Sequence, residues 1–406
     1  MKIVHFADLH IGVENYSQPD PSTGISTRLQ DFLDAFDQLI DYSLQQSVDI
    51  VIFSGDAYKS RDPSQTQQRE FASRIKKLSS AGIDVFLLVG NHDLHYGSNR
   101  ANTMEIFPTL KVPKIHIGKN VGITNIKSNK GPLQILSVPW PNKTKLLTKE
   151  ITKNLTVEEI RSEIEKILIK LINHFSEKLN PNIPSILAGH FTLAGATNGS
   201  EQTMMLGKDH VLPISSLNLS KFNYVALGHI HKHQILNKEP LVVYSGSLQK
   251  VDFGEEKDEK GFCVFEISDS KSGVENFQFI KTKCREFITI ECELTTESLD
   301  PNNIILEKIK QYKINNAIVR LKIKTPPSIA SLINYSKLKP EISKAHYLIV
   351  QQESISLNKR ETKTYKILQN MNILDTLKIY FKSRKINKNK QEKLLEIANE
   401  IIEKAE

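Results

Sequence analysis

The sequence has few cysteines and no long apolar run. Only three of its 406 residues are cysteine, and no Cys-x-x-Cys pair occurs, so neither a disulfide framework nor a structural zinc site is expected. No apolar run reaches the roughly 18 residues of a membrane-spanning helix. The amino terminus also lacks a signal-peptide pattern, because Lys2 is followed at once by a strand-like segment. These absences predict a cytoplasmic protein without a membrane partner.

Positively charged residues outnumber negatively charged ones only slightly. Lysine and arginine number 54 and the acidic residues 46, which gives a net charge of +8. A basic excess favours a polyanionic partner such as nucleic acid, through phosphate contacts. Lysine-rich coding in a low-GC genome would produce the same balance, so charge alone leaves both interpretations open. The length suffices for two or three domains.

The most informative stretch is Gly90-Asn91-His92-Asp93. It follows the apolar run 85–89, whose length and β-branched content predict a buried strand. The glycine lets the backbone turn sharply, and the next three residues carry an amide, an imidazole and a carboxylate. Open α/β sheets place their ligands at the carboxyl ends of buried strands. Taken alone, however, the tetrapeptide fits a solvated turn equally well.

Four further apolar runs end in the same kind of residue, which argues against a chance turn. These runs and the polar residues after them are 3–7 before Asp8 and His10, 50–53 before Asp56, 186–188 before His190, and 224–227 before His229 and His231. A mixed set of oxygen and imidazole ligands from several strand ends is how a two-metal hydrolase site is built.

In this order, the motifs resemble the calcineurin-like metallophosphoesterase superfamily. Its pattern is Asp-x-His, Gly-Asp, Gly-Asn-His-Asp/Glu, a lone Gly-His and Gly-His-x-His, and every piece is present. The resemblance implies an α/β fold, a four-layer α/β/β/α sandwich. It also implies two divalent ions, one held by Asp8, His10, Asp56 and His231, the other by Asp56, Asn91, His190 and His229. Asp56 would bridge the ions. These ligand types suit manganese, iron or zinc, and the resemblance implies manganese.

Three further residues receive catalytic roles from the same resemblance. His92 would not bind metal but would stabilise the phosphorane and protonate the leaving oxygen; the alternative is a purely structural histidine. Asp93 would fix the tautomer of His92. Lys59 stands where relatives often carry a second catalytic histidine. It either binds a phosphate of the scissile strand or is a solvated loop lysine, and both interpretations stay open.

Other stretches resemble one branch of the superfamily, the SbcD family of DNA-repair nucleases with its archaeal and eukaryotic relatives. They are 56–64, Tyr-Ser-Gly-Ser-Leu at 244–248, Asp-Phe-Gly-Glu at 252–255 and Lys-Gly-Phe at 260–262. This branch implies 3′-to-5′ exonuclease activity on duplex ends, endonuclease activity on single-stranded DNA, a homodimer and association with the nucleoid. It also implies an SbcC-like coiled-coil ATPase as partner. A small-molecule phosphodiesterase or phosphoprotein phosphatase is the alternative, whereas a non-catalytic scaffold is disfavoured because every ligand is intact.

The pattern of apolar residues predicts the domain organisation. Residues 1–280 would form the phosphoesterase domain, 281–352 a small α/β capping domain that binds DNA, and 353–366 a polar linker. Residues 367–406 would form a helical segment with amphipathic helices at 372–381 and 391–402, joined by a basic stretch. Such short helices need a partner surface. They would either fold back on their own chain or dock on the coiled coil of the ATPase.

Overall fold

The computed structural model describes residues 1–94, 100–147, 155–197, 199, 209–270, 273–354, 377–378, 381 and 387–405. The chain divides into two compact units. One consists of Met1–Thr289, Lys313–Arg320 and Ile342–Ile349, the other of Ile290–Tyr312, Leu321–Glu341 and Val350–Glu406. The domain boundaries predicted at 280, 352 and 366 stay predictions.

Strands and helices alternate in the amino-terminal part, as predicted. The strands are β1 (Lys2–Phe6), β2 (Ile50–Phe53), β3 (Asp84–Leu88), β4 (Ile115–Gly118), β5 (Gly122–Ser128), β6 (Gly131–Val138), β7 (Ser185–His190), β8 (Thr192–Leu193), β9 (Val211–Leu212), β10 (Tyr224–Gly228), β11 (Gln234–Lys238), β12 (Leu241–Tyr244), β13 (Gly261–Glu266), β14 (Glu275–Lys281), β15 (Phe287–Glu293), β16 (Ile318–Thr325) and β17 (Tyr347–Ser354). The helices are α1 (Thr27–Gln45), α2 (Gln65–Ser80), α3 (Ile106–Thr109), α4 (Lys143–Leu146), α5 (Val157–Ser176), α6 (Pro301–Lys310), α7 (Pro327–Ala330), α8 (Tyr335–Ile342) and α9 (Lys388–Ala405).

Two six-stranded mixed sheets carry the fold. The first has the strand order β14-β13-β1-β2-β3-β4, with β1 to β4 parallel and β13 antiparallel to β1. The second has the order β11-β12-β10-β7-β6-β5, with a parallel centre and antiparallel edge strands. In both sheets the parallel strands direct their carboxyl ends to one edge, which is where the predicted ligands follow.

Alternate residues of the central strands enter two different cores. In β2, Val51 and Phe53 pack with apolar residues of α1 and α2, whereas Ile50 and Ile52 pack into a core shared with the second sheet. The second sheet packs in turn against α5. Strands buried on both faces read as continuous apolar runs. The predicted four-layer α/β/β/α sandwich is therefore confirmed.

Local signals define where the long helices begin. Ser64 with Gln67 and Thr156 with Glu159 form reciprocal capping boxes at the starts of α2 and α5, and Ser26 caps α1. Each box satisfies two backbone N–H groups that a helix would otherwise leave unpaired.

The carboxyl-terminal part contains a three-stranded sheet, in the order β15-β16-β17. The helix α6 lies between β15 and β16 in the chain. The second terminal helix, predicted at 391–402, is α9. Three predicted parts lie wholly or partly outside the described residues: 355–366 of the linker, most of the helix at 372–381, and 382–386 of the basic stretch 382–390. Among the helices that the structure describes, none is both long and apolar enough to cross a membrane.

Candidate metal centre

All seven predicted metal ligands lie at the carboxyl ends of five parallel strands. Asp8 and His10 follow β1, Asp56 follows β2 and Asn91 follows β3 in the first sheet. The second sheet contributes the three remaining histidines, His190 at the end of β7 and His229 and His231 after β10. The two sheets thus supply ligands to one shared site, and the side chains are buried.

One group of ligand atoms surrounds the two imidazoles of His10 and His231. Asp8, His10 and His231 each offer an atom within 4.8 Å of the others. The Nε2 atoms of His10 and His231 are 2.9 Å apart, and Asp56 Oδ2 lies 3.8 Å from His10 Nε2. This is the predicted first ligand set.

A second group lies beside it and shares both carboxylates. Asp8, Asp56 and His190 lie within 4.8 Å of one another, and Asp56 Oδ2 is 3.4 Å from His190 Nε2. Asn91 Oδ1 lies 2.9 Å from His190 Nε2 and 3.2 Å from His229 Nδ1. Because Asp8 reaches both groups, the assignment of Asp56 as the bridging ligand stays a prediction.

The chemistry of this donor set fits divalent cations. Its atoms are carboxylate and amide oxygens and imidazole nitrogens, without a thiolate, as harder divalent metals prefer. The Nε2 atoms of His10 and His231 face each other at 2.9 Å. If both atoms are unprotonated, their lone pairs repel each other unless a cation lies against them. Bound at these ligands, two ions would lower the pKa of a water molecule and neutralise charge on a phosphate group.

The backbone around the ligands is strained, and glycines permit the close packing. Asp8, His10, Asp56 and His229 have positive φ angles of 52°, 47°, 63° and 89°. Non-glycine residues in this region cost about 1–3 kcal/mol each and cluster at functional sites. A Cβ atom on Gly90 would overlap Asp56 Oδ1. The glycine of the Gly-Asn-His-Asp motif is thus required because the Asp56 carboxylate packs on its Cα.

Electrostatic coupling keeps the central carboxylate ionised. Burial raises the pKa of Asp8 to about 6, an effect that the neighbouring Asp56 increases. Burial also opposes ionisation of Asp56, but His190 and His92 hold its pKa well below the usual range. Burial disfavours the charged form of His190 as well, yet Asp56 raises the pKa of His190 to about 9. Asp56 is therefore charged at neutral pH, as a metal ligand requires.

His92 lies next to the ligands and has its ring oriented by the backbone. Its Nδ1 atom is 2.8 Å from the carbonyl oxygen of Lys59, and its amide donates to Asp56 Oδ1 at 2.8 Å. Its ring stands edge-on to that of His10, with centroids 5.0 Å apart. A ring that donates from Nδ1 leaves Nε2 to meet a substrate. Burial lowers the pKa of His92.

The expected role of Asp93 needs correction. We expected its carboxylate to hold the ring of His92, but it accepts backbone N–H groups of Gly90, Asp56 and Ala57, at 2.9, 3.0 and 3.0 Å. The Asp93 carboxylate is therefore bound to the backbone of the two loops. Burial raises the pKa of Asp93 to about 7. Asp93 thus ties the loop after β2 to the loop after β3. The Lys59 carbonyl takes the expected role, while the function of the Lys59 side chain stays open.

Sequence reasoning missed four residues around the imidazoles. Glu255 Oε1 lies 2.7 Å from His231 Nδ1, and the buried Lys260 pairs with Glu255. Asp209 Oδ1 lies 3.2 Å from His229 Nε2, and the indole of Trp140 packs against the same imidazole, with centroids 4.9 Å apart. Glu255 and Lys260 belong to stretches that we used only to identify the resemblance to a family. Those stretches could therefore have indicated that the two residues lie near the site.

Comparison with known protein families identifies the family of the chain. A family model described as calcineurin-like phosphoesterase matches residues 1–233, more than half of the chain. The chain therefore belongs to the calcineurin-like phosphoesterase family, whose members bind two divalent metals, and the predicted enzyme class, a phosphodiester hydrolase, is confirmed.

The chain is also similar to the DNA double-strand break repair protein Mre11 of Methanocaldococcus jannaschii. The two are 27% identical over 336 residues, which is 80% of this chain and 77% of that relative. Among solved structures, TT1561 of Thermus thermophilus matches 64% of this chain and 92% of its own, with a TM-score of 0.36 and 16% identity. A dimetal phosphatase from Danio rerio matches 70% of this chain and 99% of its own, with a TM-score of 0.37 and 10% identity.

Proposed function

We propose that this protein is a manganese-dependent DNA nuclease of double-strand-break repair. It would act as a 3′-to-5′ exonuclease on duplex ends and as an endonuclease on single-stranded DNA. The observation that carries the proposal is the similarity to Mre11 over 336 residues, because it extends past the 233 residues that match the family model. The resemblance therefore includes sequence outside the part of the chain that matches the family model.

The residues of the site suit cleavage of a phosphodiester. Asp8, Asp56 and the imidazoles would hold the ions that activate water and bind the phosphate. The leaving group in DNA is a sugar hydroxyl, which departs as a strong base unless it is protonated. His92 donates from Nδ1 to the Lys59 carbonyl, and in its doubly protonated imidazolium form it would give the second proton from Nε2 to the leaving oxygen. An enzyme that cleaves the phosphodiesters of DNA therefore requires a proton donor for the leaving oxygen.

A direct assay decides between substrate classes. With manganese, the protein should shorten end-labelled duplex DNA from its 3′ ends and cut circular single-stranded DNA. Parallel reactions would contain p-nitrophenyl phosphate, a phosphopeptide and a cyclic dinucleotide. DNA should be cleaved at much the higher kcat/KM. A preference for the cyclic dinucleotide or the phosphopeptide would instead identify a small-molecule phosphodiesterase or a phosphoprotein phosphatase, and would refute the nuclease proposal.

DNA binding should be insensitive to sequence and sensitive to salt. The net charge of +8 supplies phosphate contacts, and releasing counterions makes the logarithm of affinity fall linearly with the logarithm of salt concentration. Anisotropy titrations with two labelled duplexes of equal length and different sequence would measure this, with calcium in place of manganese to prevent cleavage. The two slopes should agree. Salt-independent binding, or strong preference for one duplex, would contradict the expectation.

We further propose a homodimer that works with an SbcC-like SMC-family ATPase near the nucleoid. Residues 281–352 would cap the phosphoesterase domain and contact DNA, 353–366 would be a linker, and 367–406 would bind the ATPase. The helix α9 supports the last assignment, because Ile397 is 54% exposed while Leu394 and Leu395 are half-buried. An apolar helix face that stays accessible fits docking against another helix.

Changes in the terminal helix should separate ATPase binding from nuclease activity. A chain that ends at Asn358 should keep manganese-dependent cleavage of single-stranded DNA but fail to co-purify with the ATPase. The single change Ile397→Glu places a charge on the apolar face and should weaken the complex at least tenfold by calorimetry. Glu396→Gln, on the neighbouring exposed position, is the matched control and should bind normally. If the truncated chain binds the ATPase with undiminished affinity, the docking proposal is wrong.

A further inference from the structure

Two imidazoles of the metal centre each lie against a carboxylate, but the two contacts differ. Glu255 Oε1 is 2.7 Å from His231 Nδ1, and both side chains are almost completely buried, at 0% and 4% exposure. Asp209 Oδ1 is 3.2 Å from His229 Nε2, and the Asp209 side chain is 17% exposed. Glu255 therefore makes the shorter contact and is the better shielded from solvent.

A buried lysine holds Glu255 in place. Lys260 Nζ lies 2.9 Å from Glu255 Oε2, with both side chains at 0% exposure, and donates to the carbonyl oxygen of His231 at 2.9 Å. The amide of Val251 donates to the same carboxylate oxygen at 2.8 Å. Lys260 thus contacts both Glu255 and the backbone of the ligand that Glu255 supports. These contacts leave Glu255 Oε1 directed at His231.

The contact determines what His231 can offer to a cation. The ammonium of Lys260, buried 2.9 Å from Glu255 Oε2, forms an ion pair with the Glu255 carboxylate. An ionised carboxylate accepts a proton from Nδ1, which leaves the lone pair of Nε2 free, and Nε2 is the atom 2.9 Å from His10 Nε2. A carboxylate behind a metal-binding histidine fixes its tautomer, orients its ring and makes it a stronger donor.

We propose that Glu255, held by Lys260, is a positioning residue that makes the site of Asp8, His10, Asp56 and His231 the tighter of the two metal sites. Asp209 supports His229 in the same way but across a longer and partly solvated contact, so the second site binds more weakly. The proposal rests on the binding of two metals by this family and not on the identity of the substrate.

Calorimetric titration of metal-free protein with Mn²⁺, without DNA, tests the proposal. The unchanged protein should show two binding steps. Glu255→Gln keeps the side chain's shape and an acceptor oxygen but removes the charge, and should weaken the tight step about 10- to 100-fold while sparing the other step. Asp209→Asn is the matched control and should weaken only the second step. If both steps of Glu255→Gln stay within twofold of the original, the proposal is wrong.

A second variant separates positioning from folding. Glu255→Gln leaves Lys260 buried without its carboxylate, which destabilises a fold by itself. Glu255→Gln combined with Lys260→Met removes both charges and should restore thermal stability in chelator while the tight manganese step stays weak. Recovery of the tight step together with stability would show that the pair serves folding only and would refute the proposal. Failure of both variants to fold, judged by circular dichroism, would refute it as well. If the unchanged protein does not cleave DNA, the proposed nuclease function is wrong, but the proposal about metal binding is unaffected.

Discussion

Asp56→Asn should abolish DNA cleavage while the protein stays folded. Asp56 lies within 3.4 Å of His190 Nε2 and 3.8 Å of His10 Nε2, so its carboxylate serves both groups of ligands. Asparagine has the same shape and can still accept the amide of His92 at Oδ1, but it removes the negative charge that would help to hold both ions. Without that charge the two ions cannot be held together, and the rate should fall below detection.

The fold should tolerate this change because asparagine fills the same space and the apolar cores of the two sheets do not depend on the charge. Burial opposes ionisation of the Asp56 carboxylate, and its attraction to His190 is offset in part by its repulsion of Asp8. We expect the melting temperature in chelator to change by only a few degrees, and elemental analysis to find less than two manganese ions per chain. Asp62→Asn, at an exposed position of the same loop, is the matched control and should cleave normally. Nuclease activity of the purified Asp56→Asn protein at the original level would overturn the site assignment.

His92→Ala should separate metal binding from catalysis. If His92 protonates the leaving oxygen and binds no metal, this variant should keep two manganese ions yet lose about 10²–10⁴-fold in the rate of DNA cleavage. One ring nitrogen of His92 lies within 4.8 Å of ligand atoms of His10 and Asp56, so His92 is close enough to bind a metal itself. The number of bound ions therefore distinguishes a ligand from a proton donor. Loss of an ion would show that His92 is itself a ligand.

The leaving group gives a sharper version of the same test. Bis(p-nitrophenyl) phosphate releases a weakly basic phenolate that departs without a proton. His92→Ala should therefore lose far less activity on this compound than on DNA. His174→Ala, on α5, should leave both rates unchanged and serves as the control. An equal loss on both substrates would exclude proton donation as the main role of His92.

The sequence alone was sufficient to predict the two-sheet core and to select seven side chains that the fold brings together; their role as ligands stays a prediction. Apolar runs such as 85–89 can be recognised as strands because buried strands are apolar on both faces. A parallel sheet also brings the carboxyl ends of its strands to one edge. Asn91 and His190 lie 99 residues apart, yet each follows such a run, and their side-chain atoms meet at 2.9 Å. Periodicity and strand direction were enough to place them.

The support of the imidazoles could not be predicted in the same way. Asp93 turned towards three backbone amides instead of His92, a choice made by the loop conformation after β3 and not by residue spacing. Glu255 and Asp209 reach His231 and His229 from loops 24 and 20 residues away in the chain. No periodic pattern marks such contacts, because they depend on how separate loops pack at the end of the sandwich.

The origin of the ligands in both sheets makes the ions cross-links of the sandwich. Four of the predicted ligands follow strands of one sheet and three follow strands of the other, namely Asp8, His10, Asp56 and Asn91 against His190, His229 and His231. Ions bound by this set would hold the two sheets together. A ligand that binds only the folded state, at 100 times its Kd, adds about 2.7 kcal/mol per site to the free energy of unfolding. The supply of the divalent metal in a cell would then govern how long each molecule survives proteolysis, in addition to how fast it cuts.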